Sequence, residues 1–400
     1  MRPTGPRVAF VLVALALVGY TFVLAPRLVL SRGSGVTAGP PIPGPDEATS
    51  GAGGPVYFPA DGKTFIGVTT TEGTFNLKPV DAFAAAGKRR PSVFMFSQGW
   101  GTAGGFDRTQ FDTVARAGML PMLSWEPWNY RDDNLRKDGT HVAQPRYRLA
   151  RITAGDFDDY LRQYAQGVKS LGYHVAIRLA HEMNGVWYPW AATVNGNQPA
   201  DYPAMWRHVH DVFASVGAAN VIWVWSPNIT FDPKSRLAQL YPGDEYTDWI
   251  GLSGYYGTGG EKVYRSPSGV FDNTLREVAA FTHKPIVITE TGATDTVGLK
   301  AQWIGDFGQY LPKHPEIIGF IWYEAIRETD WRIAGSPAAT AAFADLATDP
   351  RYDITWRGTM LPRTTVDLPS PPPTRTAAAN PSKARPKPTR SRTPSASPSA

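Results

Sequence analysis

Between about Pro55 and Pro362, short apolar runs alternate with stretches of helical periodicity, and eight of the runs have the length and flanking turns of buried strands. They are Thr64 to Thr70, Ser92 to Ser97, Leu120 to Trp125, His174 to Ala180, Val221 to Ser226, Trp249 to Gly254, Pro285 to Thr289 and Ile317 to Trp322. Helical stripes fill several of the gaps. Phe157, Tyr160, Leu161, Tyr164, Val168 and Leu171 form one, with Gly172 placed to stop it. Trp206, Val209, Phe213 and Val216 form a second ended by Gly217, and Trp303, Ile304, Phe307, Tyr310 and Leu311 form a third. Eight such β/α units in about 300 residues predict an α/β fold, a (β/α)8 TIM barrel making a single domain over residues 56–362. An open doubly wound sheet is the competing architecture. No Gly-x-Gly-x-x-Gly follows the first strand, so its dinucleotide-binding form has no support.

The ends of the chain lack this pattern. Arg2 and Arg7 precede an uncharged apolar run from Val8 to Ala25, which stops at Pro26 and is followed by Arg27 and Arg32. Residues 1–32 therefore predict an export segment, either a cleaved signal peptide or a retained N-terminal membrane anchor. Val23-Leu-Ala25 resembles a cleavage site, but Pro26 directly after it favours retention. The expected location is extracellular, secreted or tethered to the outer face of the membrane. Residues 33–55 are rich in Gly, Pro, Ser and Ala and read as a spacer. Residues 363–400 are a basic Pro/Ser/Thr-rich tail expected to be disordered.

Charge follows the same division. The formal net charge of +5 comes from the ends, where Arg2, Arg7, Arg27 and Arg32 oppose only Asp46 and Glu47, and seven Lys and Arg after residue 362 oppose only Asp367. The body is left slightly acidic, which argues against nucleic acid as a partner. There is no cysteine, so disulfides, a thiolate nucleophile and Cys-built zinc sites are excluded. Seven His are scattered, and His208 and His210, the close pair, project to different sides of a helix. No metal and no cofactor are expected, and the chain is expected to act as a monomer.

In a barrel of this kind the site is built at the C-terminal ends of the strands. There the sequence places Gln98 and Trp100 after the second strand, Trp125, Glu126 and Trp128 after the third, and His181, Glu182 and Asn184 after the fourth. Trp225, Ser226 and Asn228 follow the fifth, Tyr255 and Tyr256 the sixth, Glu290 the seventh, and Trp322, Tyr323 and Glu324 the eighth. Trp187, Tyr188 and Trp190 add flat apolar faces beside Glu182, and with 13 Trp and 17 Tyr in the chain the rim suits pyranose rings better than phosphates or peptides. Glycoside cleavage needs two carboxyl groups flanking the scissile bond. Glu182 and Glu290, on nearly opposite sides of an eight-stranded barrel, are the chosen pair. Glu126 and Glu324 are competing acids suited to binding hydroxyls, with pairing to Arg327 or Arg332 an equal alternative for Glu324. A barrel that binds carbohydrate without cleaving it is the reading of another class.

Arg178-Leu-Ala-His-Glu-Met-Asn-Gly-Val-Trp-Tyr-Pro-Trp190 resembles the acid/base segment of glycoside hydrolase family 26, and Ile288-Thr-Glu-Thr-Gly292 is similar to its nucleophile segment. Trp223-Val-Trp-Ser-Pro-Asn228, Tyr241 to Gly251 and Trp322-Tyr-Glu324 with Glu328 to Arg332 are similar to its fifth, sixth and eighth strand segments, so the resemblance covers roughly residues 60–350. It implies a TIM barrel and a retaining glycoside hydrolase, endo-acting on a β-linked polysaccharide, with Glu182 as acid/base and Glu290 as nucleophile. It further implies that Arg178 positions the carboxylates, that His181 and Tyr255 hold or polarise the nucleophile's surroundings, and that Trp187 supports the sugar. Asn184, Tyr188, Trp190, Trp125, Glu126, Trp225, Trp322 and Glu324 complete the expected polysaccharide-binding set. β-1,4-Mannan is the first expectation for the substrate. The chain reads Trp187-Tyr-Pro-Trp190 where mannan-cleaving members tend to a Trp-Phe-Trp-Trp-like run, which keeps mixed-linkage β-glucan and xylan as alternatives.

Overall fold

The structure, a computed structural model, describes residues 57–59, 62–101, 104–132, 143–230, 236–354 and 360–362. The export segment 1–32, the spacer 33–55 and the tail 363–400 lie outside the described residues. Among the described residues no helix is long and apolar enough to cross a membrane.

Eight parallel strands close into a barrel in chain order: β1 (Phe65–Thr69), β2 (Val93–Gly99), β3 (Leu120–Glu126), β4 (Val175–Leu179), β5 (Val221–Trp225), β6 (Trp249–Ser253), β7 (Ile286–Thr291) and β8 (Ile317–Tyr323). Closure is made by β8 pairing with β1, from Phe65 opposite Gly319 to Thr69 opposite Tyr323. The longer helices are α1 (Lys78–Ala86), α2 (Arg108–Arg116), α3 (Asp158–Lys169), α4 (Asp201–Val216), α5 (Pro267–Ala279), α6 (Lys300–Tyr310) and α7 (Pro337–Ala347). A short antiparallel pair, Tyr57–Pro59 with Met360–Pro362, stands apart from the barrel sheet. The open doubly wound alternative is thus excluded by the β8–β1 pairing.

Local chemistry explains several boundaries. The Asp107 carboxylate accepts the Thr109 N–H at 2.9 Å and starts α2. Ser266 and Ser336 cap α5 and α7, each followed by a proline at the first helical position, where its missing N–H is not needed. Gly172 and Gly217 stand where the helical stripes were expected to stop, and both take the left-handed conformation, with φ +74° and +76°.

Two apolar layers result from strand alternation. Outward residues such as Val68, Phe96, Trp125, Ile177, Trp223, Ile288 and Phe320 pack under the helices. Inward residues Phe65, Met95, Met122, Ile222, Trp249 and Ile318 fill the barrel interior. Towards the C-terminal ends the inward positions turn polar: Ser124 and Glu126 follow Met122 on β3, and Arg178 follows Ala176 on β4. The interior therefore changes from an apolar plug to a polar floor along each strand, and the site stands on that floor.

Candidate active site

Strand β7 breaks the alternation. Opposite β6, Gly251 pairs with Val287 but Ser253 pairs with Glu290, so β7 carries one extra residue between these pairs. The bulge lets two consecutive residues work at the interior: Thr289 shares a hydrogen bond with Ser226 on the β5 side at 2.8 Å, and Glu290 meets Arg178. Glu290 lies within β7 rather than after it, and Glu126 is likewise the last residue of β3.

Arg178 is the centre of the polar floor and is completely buried. Its guanidinium donates to Ser226 Oγ at 2.9 Å, Ser124 Oγ at 3.1 Å, Ser253 Oγ at 2.6 Å and Glu290 Oε1 at 2.5 Å. A buried cation needs such complete pairing, since an unsatisfied one costs several kcal/mol. The second oxygen of Glu290 accepts the Tyr255 hydroxyl at 2.7 Å. Burial and the Glu290 charge push the Tyr255 hydroxyl well above its ordinary range, so it stays a donor. Glu290 is thereby presented as a carboxylate with both oxygens oriented, its side chain 18% exposed at the barrel mouth.

Glu182 stands on the turn after β4, where the chain is held in an uncommon conformation. Ala180 and Glu182 have φ of +43° and +54°, costly for residues with a Cβ. The Ala180 N–H bonds Trp125 O at 2.9 Å and the Glu182 N–H bonds Ser226 O at 2.7 Å, which fixes the turn against β3 and β5. The Glu182 carboxyl accepts the Trp187 indole N–H at 2.7 Å on one oxygen and Asn228 Nδ2 at 3.0 Å on the other. Gly185 makes this possible, because a Cβ there would lie 2.5 Å from the Trp187 ring. Burial, and then the facing Glu290 carboxylate, raise the Glu182 pKa against the opposing pull of Arg178 and of hydrogen bonds from Ser253 and Asn228. A buried carboxyl that resists ionisation beside an oriented carboxylate is the arrangement that acid-assisted nucleophilic chemistry requires.

The neighbouring groups divide into those at the mouth and those behind it. His181 is buried, and burial followed by the Arg178 charge holds its imidazole far below its ordinary pKa, hence neutral. Its Nε2 lies 3.2 Å from the Tyr188 hydroxyl. Tyr188 is half-buried and stacks on Trp190 at 4.2 Å and 10°. Glu126 accepts the Trp128 indole N–H at 2.9 Å and is pushed up to about 7 by burial. It lies close enough to feel the charges of Arg178 and Glu290.

Several expected sugar-binding residues are elsewhere. Trp125, Trp225 and Trp322 are fully buried and face outward from the barrel. Their indole N–H groups bond Tyr160 Oη, Leu240 O and Trp331 O, and their rings pack on Tyr164, Tyr241 and Phe343. Trp190 lies behind Tyr188, completely buried, with its N–H on His181 O at 2.6 Å. Asn184 exchanges two hydrogen bonds with the Asn228 backbone, at 2.8 and 2.9 Å, and so aims Asn228 at Glu182. Glu324 accepts the Ile333 N–H at 2.9 Å and ties down the loop after β8, while Arg332 pairs with Asp330 instead. Conversely, Ser124 and Ser253 were not foreseen. They lie two residues before Glu126 and Tyr255, so strand alternation was the signal that could have found them.

His208 pairs with Asp158 at 2.7 Å, and His210 packs between Trp223 and Tyr246 on the outer side of the barrel. Among the described residues no three His, Asp or Glu side chains converge as metal ligands.

The sequence model of glycosyl hydrolase family 26 matches residues 151–328, a span that contains both Glu182 and Glu290. Over that span the chain is similar to this family. Among its relatives, Endoglucanase H of Acetivibrio thermocellus is 32% identical over 274 residues, which cover 65% of this chain and 28% of the relative. The mannan endo-1,4-β-mannosidase of Bacillus subtilis is 22% identical over 72% of this chain and 80% of its own length. The solved Bacillus subtilis mannanase man26 shares the fold, with a TM-score of 0.55 at 20% identity over 76% of this chain and 92% of that one. The family 26 match spans both β4 and β7.

Proposed function

We propose that the barrel cleaves a β-linked polysaccharide at internal bonds with retention of configuration, Glu182 acting as general acid/base and Glu290 as nucleophile. The observation that carries this reading is the opposite preparation of two facing carboxyls: Glu290 is oriented by Arg178 and Tyr255, and Glu182 is buried against Trp187. In the first step a Glu290 oxygen bonds the anomeric carbon while Glu182 gives its proton to the departing glycosidic oxygen. In the second, Glu182 takes a proton from water, whose oxygen displaces Glu290 and restores the original configuration. Arg178 and Tyr255 hold the nucleophile in line throughout, so their contribution is to positioning rather than to proton transfer.

The polysaccharide is proposed to be β-1,4-mannan, in line with the relative named a mannan endo-1,4-β-mannosidase, which the chain matches over 80% of that protein. Mixed-linkage β-glucan is the second reading, supported by the 32% identity to an endoglucanase and by the Tyr188-Pro189 departure. Action outside the cytoplasm, secreted or tethered, is proposed from the N-terminal pattern of Arg2, Arg7 and the apolar run from Val8 to Ala25. The test is reducing-end release from mannan, mixed-linkage glucan and xylan, with the first product's anomeric configuration read by NMR. Turnover of at least one glycan to an initially β product is expected, with a loss of about 10⁴-fold or more in Glu290→Ala. Full activity in that variant, or an initially α product, would sink the mechanism.

A further inference from the structure

Lys300 begins α6 and is only 1% exposed. A cation there is doubly unfavourable, since burial strips its water and the N-terminal end of a helix repels positive charge. What it holds is the loop after β8. Its ammonium donates to the Asp330 carbonyl at 3.0 Å and to the Arg332 carbonyl at 2.7 Å. The carbonyl between them, that of Trp331, accepts the Trp322 indole N–H at 3.0 Å, so a run of successive carbonyls is fixed from one side. The Trp331 ring held in this way lies against Tyr255, with centroids 5.0 Å apart, and the Tyr255 hydroxyl donates to Glu290 at 2.7 Å. The packing leaves no slack on the β7 side. A Cβ at Gly292, on the residue after Thr291, would lie 3.2 Å from the Trp331 ring and 3.5 Å from that of Tyr255.

We propose that Lys300 is a positioning residue for the nucleophile: its ammonium clamps the carbonyls on either side of Trp331, Trp331 braces Tyr255, and Tyr255 holds Glu290. The catalytic consequence rests on the nucleophile role proposed for Glu290, whereas the mechanical link from Lys300 to Tyr255 does not. Burial brings the ammonium down to about 8, against Asp330, Glu324 and Asp295, so at neutrality it is charged and its two hydrogen bonds are charge-assisted. Loss of the ammonium leaves both carbonyls without their donor, a cost that the loop relieves by moving. Trp331 moves with it, and Tyr255 loses the surface that keeps its hydroxyl aimed at Glu290.

The direct readout is the Tyr255 resonance in ¹³Cζ-tyrosine NMR of the full-length protein, identified by its loss in Tyr255→Phe. Lys300→Met keeps the apolar stem and removes the ammonium, and is expected to displace that resonance. Lys300→Gln, uncharged but still a donor, is expected to displace it less, and it stands in where Lys300→Met does not fold. An unmoved Tyr255 resonance in folded Lys300→Met, or in Lys300→Gln where that alone folds, overturns the proposal. Because the spectrum needs no turnover, a protein inactive on every glycan would refute the proposed function without touching this result. In an active protein, Lys300→Met should lower kcat by about tenfold with KM within about twofold of wild type. The same substitution in a Tyr255→Phe background should cost less than about threefold, since the hydroxyl through which it acts is already gone. An equal loss in both backgrounds would show that Lys300 acts on the fold at large and not on the nucleophile.

Discussion

Tyr255 shows how much of this site is orientation. Its hydroxyl is held protonated and donates to Glu290 Oε2 at 2.7 Å, while its ring rests on Trp331 at 5.0 Å and meets Tyr323 edge-on at 6.1 Å. Removing only the hydroxyl leaves that packing intact. Tyr255→Phe is therefore expected to lower kcat by about 10- to 100-fold, the worth of one hydrogen bond to a charged group, with KM changed little. A variant that raised KM and kept kcat would show instead that the hydroxyl binds ground-state sugar. At this scale the sequence reading reached the two glutamates, Arg178, His181, Trp187 and Tyr255, all of which meet in the site. It chose Asn184 rather than Asn228 for the sugar-binding set, and nothing local separates the two, because both are short amides after adjacent strands. Only the pairing of Asn184 with the Asn228 backbone shows which one touches Glu182.

At the level of elements, the strand ends carry residues with two different jobs, separated by strand parity. On β3, Trp125 faces the helices while Ser124 and Glu126 face the interior. On β8, Trp322 faces outward to Trp303 and Phe343 while Tyr323 reaches the mouth beside Tyr255. Trp322→Phe should accordingly act on stability and not on substrate affinity. The loss of ring volume and of the indole bond to Trp331 O is expected to cost about 1–3 kcal/mol in urea unfolding, with KM within about twofold of wild type. A large rise in KM at unchanged stability would return Trp322 to the sugar-binding surface. The β7 bulge is the exception to parity, and it is what brings Thr289 and Glu290 to the interior together. Nothing in the apolar run from Pro285 to Thr289 signals it, since a bulge is a property of two paired strands.

For the whole molecule, stability and chemistry are coupled through buried ionisable groups. Glu126 is pushed from 4.5 up to about 7 by burial, so between those values the folded protein holds a proton that the unfolded chain releases. The stability this group contributes is present in full below about 4.5 and is lost as pH rises to about 7, a change of about 3 kcal/mol at most. His181, kept neutral in the fold, acts in the opposite sense below pH 6.5, so the wild-type profile alone mixes the two. Glu126→Gln separates them. Its unfolding free energy relative to wild type should climb in its favour from pH 5 to 7 and level off above, as measured by urea denaturation across that range. A difference independent of pH would mean that Glu126 ionises as readily in the fold as in the unfolded chain.

The division between sequence and tertiary structure follows the range of the interactions involved. Strand and helix periodicity is local, so the eight β/α units, the stops at Gly172 and Gly217 and the pairing of a β4 carboxyl with a β7 carboxyl could be read from the chain alone. Which side chains share the interior depends on how strands pair and where the barrel closes. That pairing alone placed three serines around Arg178 and turned Trp125, Trp225 and Trp322 away from the cleft.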